Sequence, residues 1–122
     1  MSGFVRVLRV YGMASLLLLH QDGSRRGEVD HVELTHGHVA MIGRDPQSSV
    51  AFAPDVDRMV SRRHAQIVFD DGNAPRWRIA DLDSFHGVFV NGVRVEGEAE
   101  LAVGDEVRLG LHGPCLKVTS AN

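Results

Sequence analysis

Three short segments of the chain gather side chains suited to holding a phosphoryl group. Ile42-Gly43-Arg44-Asp45-Pro46 ends an apolar run on a glycine and at once presents an arginine. Ser61-Arg62-Arg63-His64-Ala65 leads from an irregular stretch back into an apolar one, and Asp81-Leu82-Asp83-Ser84-Phe85-His86-Gly87 precedes an Asn91-Gly92 turn. Between Arg58 and His64 stand three arginines, one histidine and no acid, in a chain whose formal charge is −3. Arginine forks, a serine hydroxyl and loop N–H groups are the components of a phosphate cradle. Each charge-assisted hydrogen bond contributes on the order of 1.5–3 kcal/mol. Three or four of them, less the cost of ordering the loops, amount to roughly micromolar binding, about −8 kcal/mol. That strength suits a reversible contact.

Other chemistries lack their signatures. A P-loop needs a lysine before Ser or Thr, whereas Lys117, the only lysine, stands near the end of the chain. No G-x-S-x-G, H-E-x-x-H, C-x-x-C or G-x-G-x-x-G occurs, and no spacing of Ser, His and Asp supports a triad. Among seven histidines, His36 and His38 would share one face of a strand, but they flank Gly37 in a turn and have no evident second pair. They read as solvated turn residues, so neither a metal nor a cofactor is expected. Cys115 reads as a buried strand residue rather than a nucleophile. A catalytic role is not expected.

The elements that must position these segments are short and apolar, with turn chemistry between them and no sustained 3.6-residue period. Strands are expected at residues 5–10, 16–20, 27–34, 39–42, 50–53, 64–69, 76–80, 88–90, 93–95, 106–109 and 115–118. Asp70-Asp71-Gly72-Asn73 is a turn cluster, and Asn91-Gly92 supplies the positive-φ pair of a type I′ hairpin. Many short strands with 13 glycines to turn them read as an all-β sandwich. Only residues 50–53 look like strand between Gly43 and His64; long irregular connections in compact domains are more often functional than idle.

At 122 residues the chain fits one compact domain, taken as 1–122, whether or not it is a module of something longer. Its 43% hydrophobic and 24% charged residues exclude disordered and collagen-like classes. Net acidity argues against nucleic acid as a partner. The apolar run 16–19 is far too short for membrane insertion and lacks a cleavage pattern, and one cysteine cannot form an internal disulfide, so a cytoplasmic location is expected.

With these residues in place, the sequence resembles the forkhead-associated (FHA) domain family over about residues 34–110. The likeness rests on Gly43-Arg44 after a strand, Ser61-Arg62-x-His64-Ala65, Asp81-x-x-Ser84-x-x-Gly87, the Asn91-Gly92 hairpin, and Leu101-x-x-Gly104-Asp105-x-Val107-x-Leu109-Gly110. The resemblance implies an FHA-like β-sandwich of about eleven strands with binding loops at one apex and no catalysis. It implies recognition of a phosphothreonine-containing protein or peptide, a substrate of a Ser/Thr kinase. Carried onto this chain, it gives phosphopeptide contacts to Arg44, Ser61 and Arg62 and to the loop positions of Phe85 and His86. Support of the site falls to Gly43, His64, Ser84 and Gly87. Arg63 lies where the family varies, and Met59, Arg58 and Arg63 are candidates for sequence preference around the phosphothreonine.

The third loop departs from the family pattern. Ser84-Phe85-His86-Gly87-Val88 stands where Ser-Thr-Asn-Gly-Thr is usual. Phe85 replaces a threonine that helps the phosphate site, although a backbone N–H there still donates. His86 replaces an asparagine, and imidazole lacks the paired donor and acceptor of an amide. Two outcomes follow: retained phosphopeptide binding with altered affinity or pH sensitivity, or a drifted site that serves phosphate-independent assembly.

Overall fold

The computed structural model describes residues 13–35, 37–70 and 75–122. Their strands are β1 (Ala14–His20), β2 (Val29–Leu34), β3 (Val39–Gly43), β4 (Val50–Ala51), β5 (Ala65–Asp70), β6 (Arg76–Asp81), β7 (Val88–Val90), β8 (Val93–Arg94), β9 (Glu98–Leu101), β10 (Glu106–Leu109) and β11 (Cys115–Ala121). Period-two alternation makes them. In β1, Ala14, Leu16, Leu18 and His20 are buried while Ser15, Leu17 and Leu19 between them are half-buried. In β5 and β6, Ala65, Ile67 and Phe69 face the core beside Trp77 and Ile79.

These strands form two sheets, β2-β1-β11-β10-β7-β8 and β4-β3-β5-β6-β9. All pairings are antiparallel except β3 with β4, where Ile42 lies opposite Val50. Leu16, Leu18, Val88, Val107, Leu109, Leu116 and Val118 from the first sheet meet Ile42, Val50, Ile67 and Ile79 from the second in one continuous core. At its edge the Phe69 and Trp77 rings pack with centroids 5.1 Å apart. The expected all-β sandwich is thus the fold, with eleven strands among the described residues.

Several boundaries differ from the sequence reading. Gly27 closes a turn over residues 24–27 rather than starting β2, because it adopts φ +89° and donates to the His20 carbonyl. β4 stops at Ala51, and Phe52 turns its N–H to the Gly43 carbonyl instead. β5 begins at Ala65 rather than at His64. β9, which the sequence did not announce, pairs with β6 through Ile79 opposite Ala99 and Trp77 opposite Leu101. β8 is shorter by one residue and β11 longer by three than expected. The strand expected at 5–10, the turn residues 71–73 and His36 lie outside the described residues. Asn91 and Gly92, at φ +51° and +83°, make the expected two-residue hairpin turn between β7 and β8.

Candidate phosphate-binding apex

Hydrogen bonds lock the loops after β3, before β5 and after β6 together at one end of the sandwich. His64 donates its N–H to the Ile42 carbonyl (2.9 Å), Arg44 to that of Ser61 (3.0 Å) and Asp45 to that of Arg62 (3.1 Å). This zipper runs the two loop backbones so close that a Cβ on Gly43 would lie 2.0 Å from the Arg62 carbonyl oxygen. Only glycine fits there, which is the reason for the Gly43-Arg44 pair. The Arg44 side chain lies along the same loop, with Nε donating to the Val60 carbonyl. Arg62 is exposed and stands 3.6 Å from Asp45, a loose ion pair that leaves its guanidinium largely in solvent.

His64 braces the apex from beneath. Fully buried, it accepts the Ser61 N–H at Nδ1 (3.0 Å) and donates from Nε2 to the Gly87 carbonyl (2.7 Å). Accepting at one nitrogen and donating at the other defines a neutral ring with its proton on Nε2. Burial pushes its pKa below the ordinary histidine value, against the opposing pull of the Gly87 carbonyl and Asp81. The Gly87 carbonyl also accepts from Gly110, bringing in the loop after β10. Ser84 donates its N–H to Asp81, and its hydroxyl accepts the Gly87 N–H, both at 3.0 Å. Gly87 itself holds φ +83°. Gly43, His64, Ser84 and Gly87 therefore share one framework of loop contacts.

Where the framework opens to solvent, Ser61 meets the third loop. The Phe85 N–H points at Ser61 Oγ, 3.3 Å away. That oxygen is used as an acceptor, and its own proton is committed to no acceptor among the described residues. The Phe85 ring is 86% exposed and sits edge-on to His86, 4.8 Å between centroids. His86 is half-buried, with its Cβ against Gly110. The structure thus assembles Arg44, Ser61 and the Phe85 backbone on one side of the apex, with Arg62 projecting freely and His86 at the seam with the β10–β11 loop.

Met59 also touches this seam: a Cβ on Gly110 would meet its sulfur at 3.2 Å. It borders a cavity of about 250 Å³ lined by Asp57, Arg58, Arg108, His112 and Pro114, among others. One structural residue carries no motif signal. Asp57 is buried and anchors the long loop through the Ser24 hydroxyl (2.5 Å) and the Ala53 N–H (3.3 Å). Among the described residues no group of three His, Cys, Asp or Glu side chains is arranged to hold a metal, and no helix is long and apolar enough to cross a membrane. Cys115 is buried beside Gln21, and burial pushes its thiol up, away from the nucleophilic thiolate.

The profile of the FHA domain family matches residues 40–110, more than half of the chain. An FHA domain solved in a structural and functional analysis of phosphothreonine-dependent FHA domain interactions is 35% identical, with a TM-score of 0.65 over 87% of this chain and 96% of that one. The FhaA FHA domain, complexed with the intracellular domain of Rv3910, is also 35% identical, with a TM-score of 0.64 over 85% of this chain and 99% of that one. The FHA domain of an Arabidopsis thaliana hypothetical protein is 27% identical, with a TM-score of 0.71 over 86% and 84%. No curated protein matches the chain.

Proposed function

From the premise that the chain belongs to the FHA domain family, whose members are interaction modules known for phosphothreonine dependence, we propose that it is a non-catalytic module capturing phosphothreonine-containing segments of partner proteins. The partners are substrates of a Ser/Thr kinase, and the setting is cytoplasmic. The observation that carries this reading is the Ser61–Phe85 contact, because it leaves the serine proton uncommitted beside the loop that Arg44 lines. Arg44 and Arg62 supply charge, and the Ser61 hydroxyl, held by the Phe85 N–H, supplies a directed donor; together they match the tetrahedral acceptor of a phosphoryl group. The Phe85 side chain is dispensable here, since its contribution comes from the main chain. An oriented peptide library fixed on phosphothreonine or phosphoserine tests the reading. Enrichment on the phosphothreonine series supports it, and recovery without regard to phosphorylation contradicts it.

A second reading draws on the 86% exposure of Phe85. An aromatic ring so displayed suits a phosphate-independent assembly surface. That reading requires Arg44→Ala and Ser61→Ala to leave partner capture intact in a pull-down, and their loss of capture removes it.

A further inference from the structure

Several of the described arginines answer to acids of the chain itself. Arg25 forks onto Asp30, Arg76 reaches Glu100, Arg78 bridges Asp70 and Glu98, and Arg108 pairs with Asp22. Arg94 has no such partner among the described residues, and its place in the fold is defined. It stands on β8 opposite Phe89, and Gly87 immediately precedes β7. A Cβ built on Gly87 would sit 3.0, 3.1 and 3.2 Å from Nε, Cζ and Nη2 of Arg94. Three guanidinium atoms so nearly equidistant from one point mean that the group lies face-on against the Gly87 backbone, in the space the missing side chain leaves. A guanidinium stacked by its face keeps its N–H donors at the rim, in the plane of the fork. Arg94 is exposed, so those donors meet solvent immediately beside the loop that carries Phe85 and His86.

We infer that Arg94 is a specificity-determining residue: it pairs with a second anionic group flanking the phosphothreonine on the bound segment. The inference rests on the phosphopeptide reading and adds a chemical preference to it. A cation already stacked in place loses little freedom on pairing, and its fork matches either a carboxylate or a second phosphate.

The test uses phosphothreonine peptides with alanine at the flanking positions. One series places a single glutamate at each flanking position in turn, and the other places a single phosphoserine. Affinities are read by fluorescence anisotropy for the wild type, Arg94→Gln and Arg94→Lys. The wild type is expected to favour the anion in one register by about three- to tenfold over the all-alanine peptide. Arg94→Gln is expected to bind anionic and all-alanine peptides within about twofold of each other, while Arg94→Lys keeps part of the preference because charge remains without the fork. A preference in the glutamate series alone assigns a carboxylate, and one in the phosphoserine series alone a second phosphate. Absence of any preferred register, or a preference that survives Arg94→Gln, overturns the inference and leaves the phosphothreonine reading standing. If the all-alanine phosphothreonine peptide binds no better than its unphosphorylated form, the reading beneath fails and the inference falls with it.

Discussion

Ser61 concentrates the chemistry of the apex in one hydroxyl. Its oxygen accepts the Phe85 N–H, its backbone N–H is taken by His64, and its carbonyl by Arg44. Only the hydroxyl proton is uncommitted, so Ser61→Ala removes the outward donor while the backbone framework persists. A phosphothreonine peptide is expected to bind Ser61→Ala at least about tenfold more weakly, the equivalent of one charge-assisted hydrogen bond. Thermal denaturation of the variant should stay close to the wild type; a large drop in melting temperature with unchanged affinity would contradict this assignment. The positions of Arg44, Ser61 and Arg62 were legible because residue type and spacing carry them. What Phe85 contributes was only half legible. Its N–H, expected to donate to the phosphate, donates instead to Ser61 Oγ, and nothing in the word phenylalanine says that the residue would stand clear at 86% exposure. Arg94 was not legible at all, since its role depends on a stack against a glycine seven residues away.

At the scale of elements, the apex depends on two devices, one within the five-stranded sheet and one that reaches across to the other. The first is the Gly43 zipper. Gly43→Ala drives a Cβ into the Arg62 carbonyl, 2.0 Å away, and backbone cannot yield as a flexible side chain can. Urea denaturation should show a loss of about 2–3 kcal/mol, the scale of overpacking; an unchanged midpoint would mean that the two loops do not run this close. The second device is His64, which joins β3, β6 and β7 through their loops. Its folded pKa is depressed by burial, so the unfolded chain binds the proton more readily. Its contribution to stability is therefore complete above about pH 6.5, the unperturbed histidine value, and declines as pH falls below it. Melting temperature should fall between pH 7.5 and pH 5, and His64→Asn should flatten that slope whatever its own stability. A slope that the variant keeps would assign the effect elsewhere.

The strands themselves were largely readable from alternation and turn chemistry, as the Asn91-Gly92 hairpin illustrates. β9 escaped because Glu98-Ala99-Glu100-Leu101 offers one small and one large apolar residue between acids, a weak pattern suited to an exposed edge. Its pairing becomes evident only when Ile79 and Trp77 are seen opposite it. Likewise the 24–27 turn carries no apolar break before Val29, and it is the positive φ of Gly27 that sets where β2 begins.

Across the whole molecule, charge is distributed by function of place rather than by its total. A net charge of −3 coexists with a cationic apex because other arginines are neutralised where they stand. Arg25 spans the two sheets, forking onto Asp30 of β2 while donating to the Ala51 carbonyl of β4. Arg76 and Arg78 lie among acids on the outer face of the five-stranded sheet. At the apex, Arg44 and Arg62 are left for a ligand, with Arg94 beside them. An acidic protein can thus present a cationic apex, the surface to which we assign the phosphoryl group. On this reading, phosphate on threonine decides binding. Isothermal titration calorimetry with one library-selected peptide, phosphorylated and unphosphorylated on its single threonine, measures this directly. The phosphorylated form should bind at roughly micromolar strength and the unphosphorylated form at least about a hundredfold more weakly, as expected when several charge-assisted hydrogen bonds are lost together. Equal affinity for the two would contradict the account.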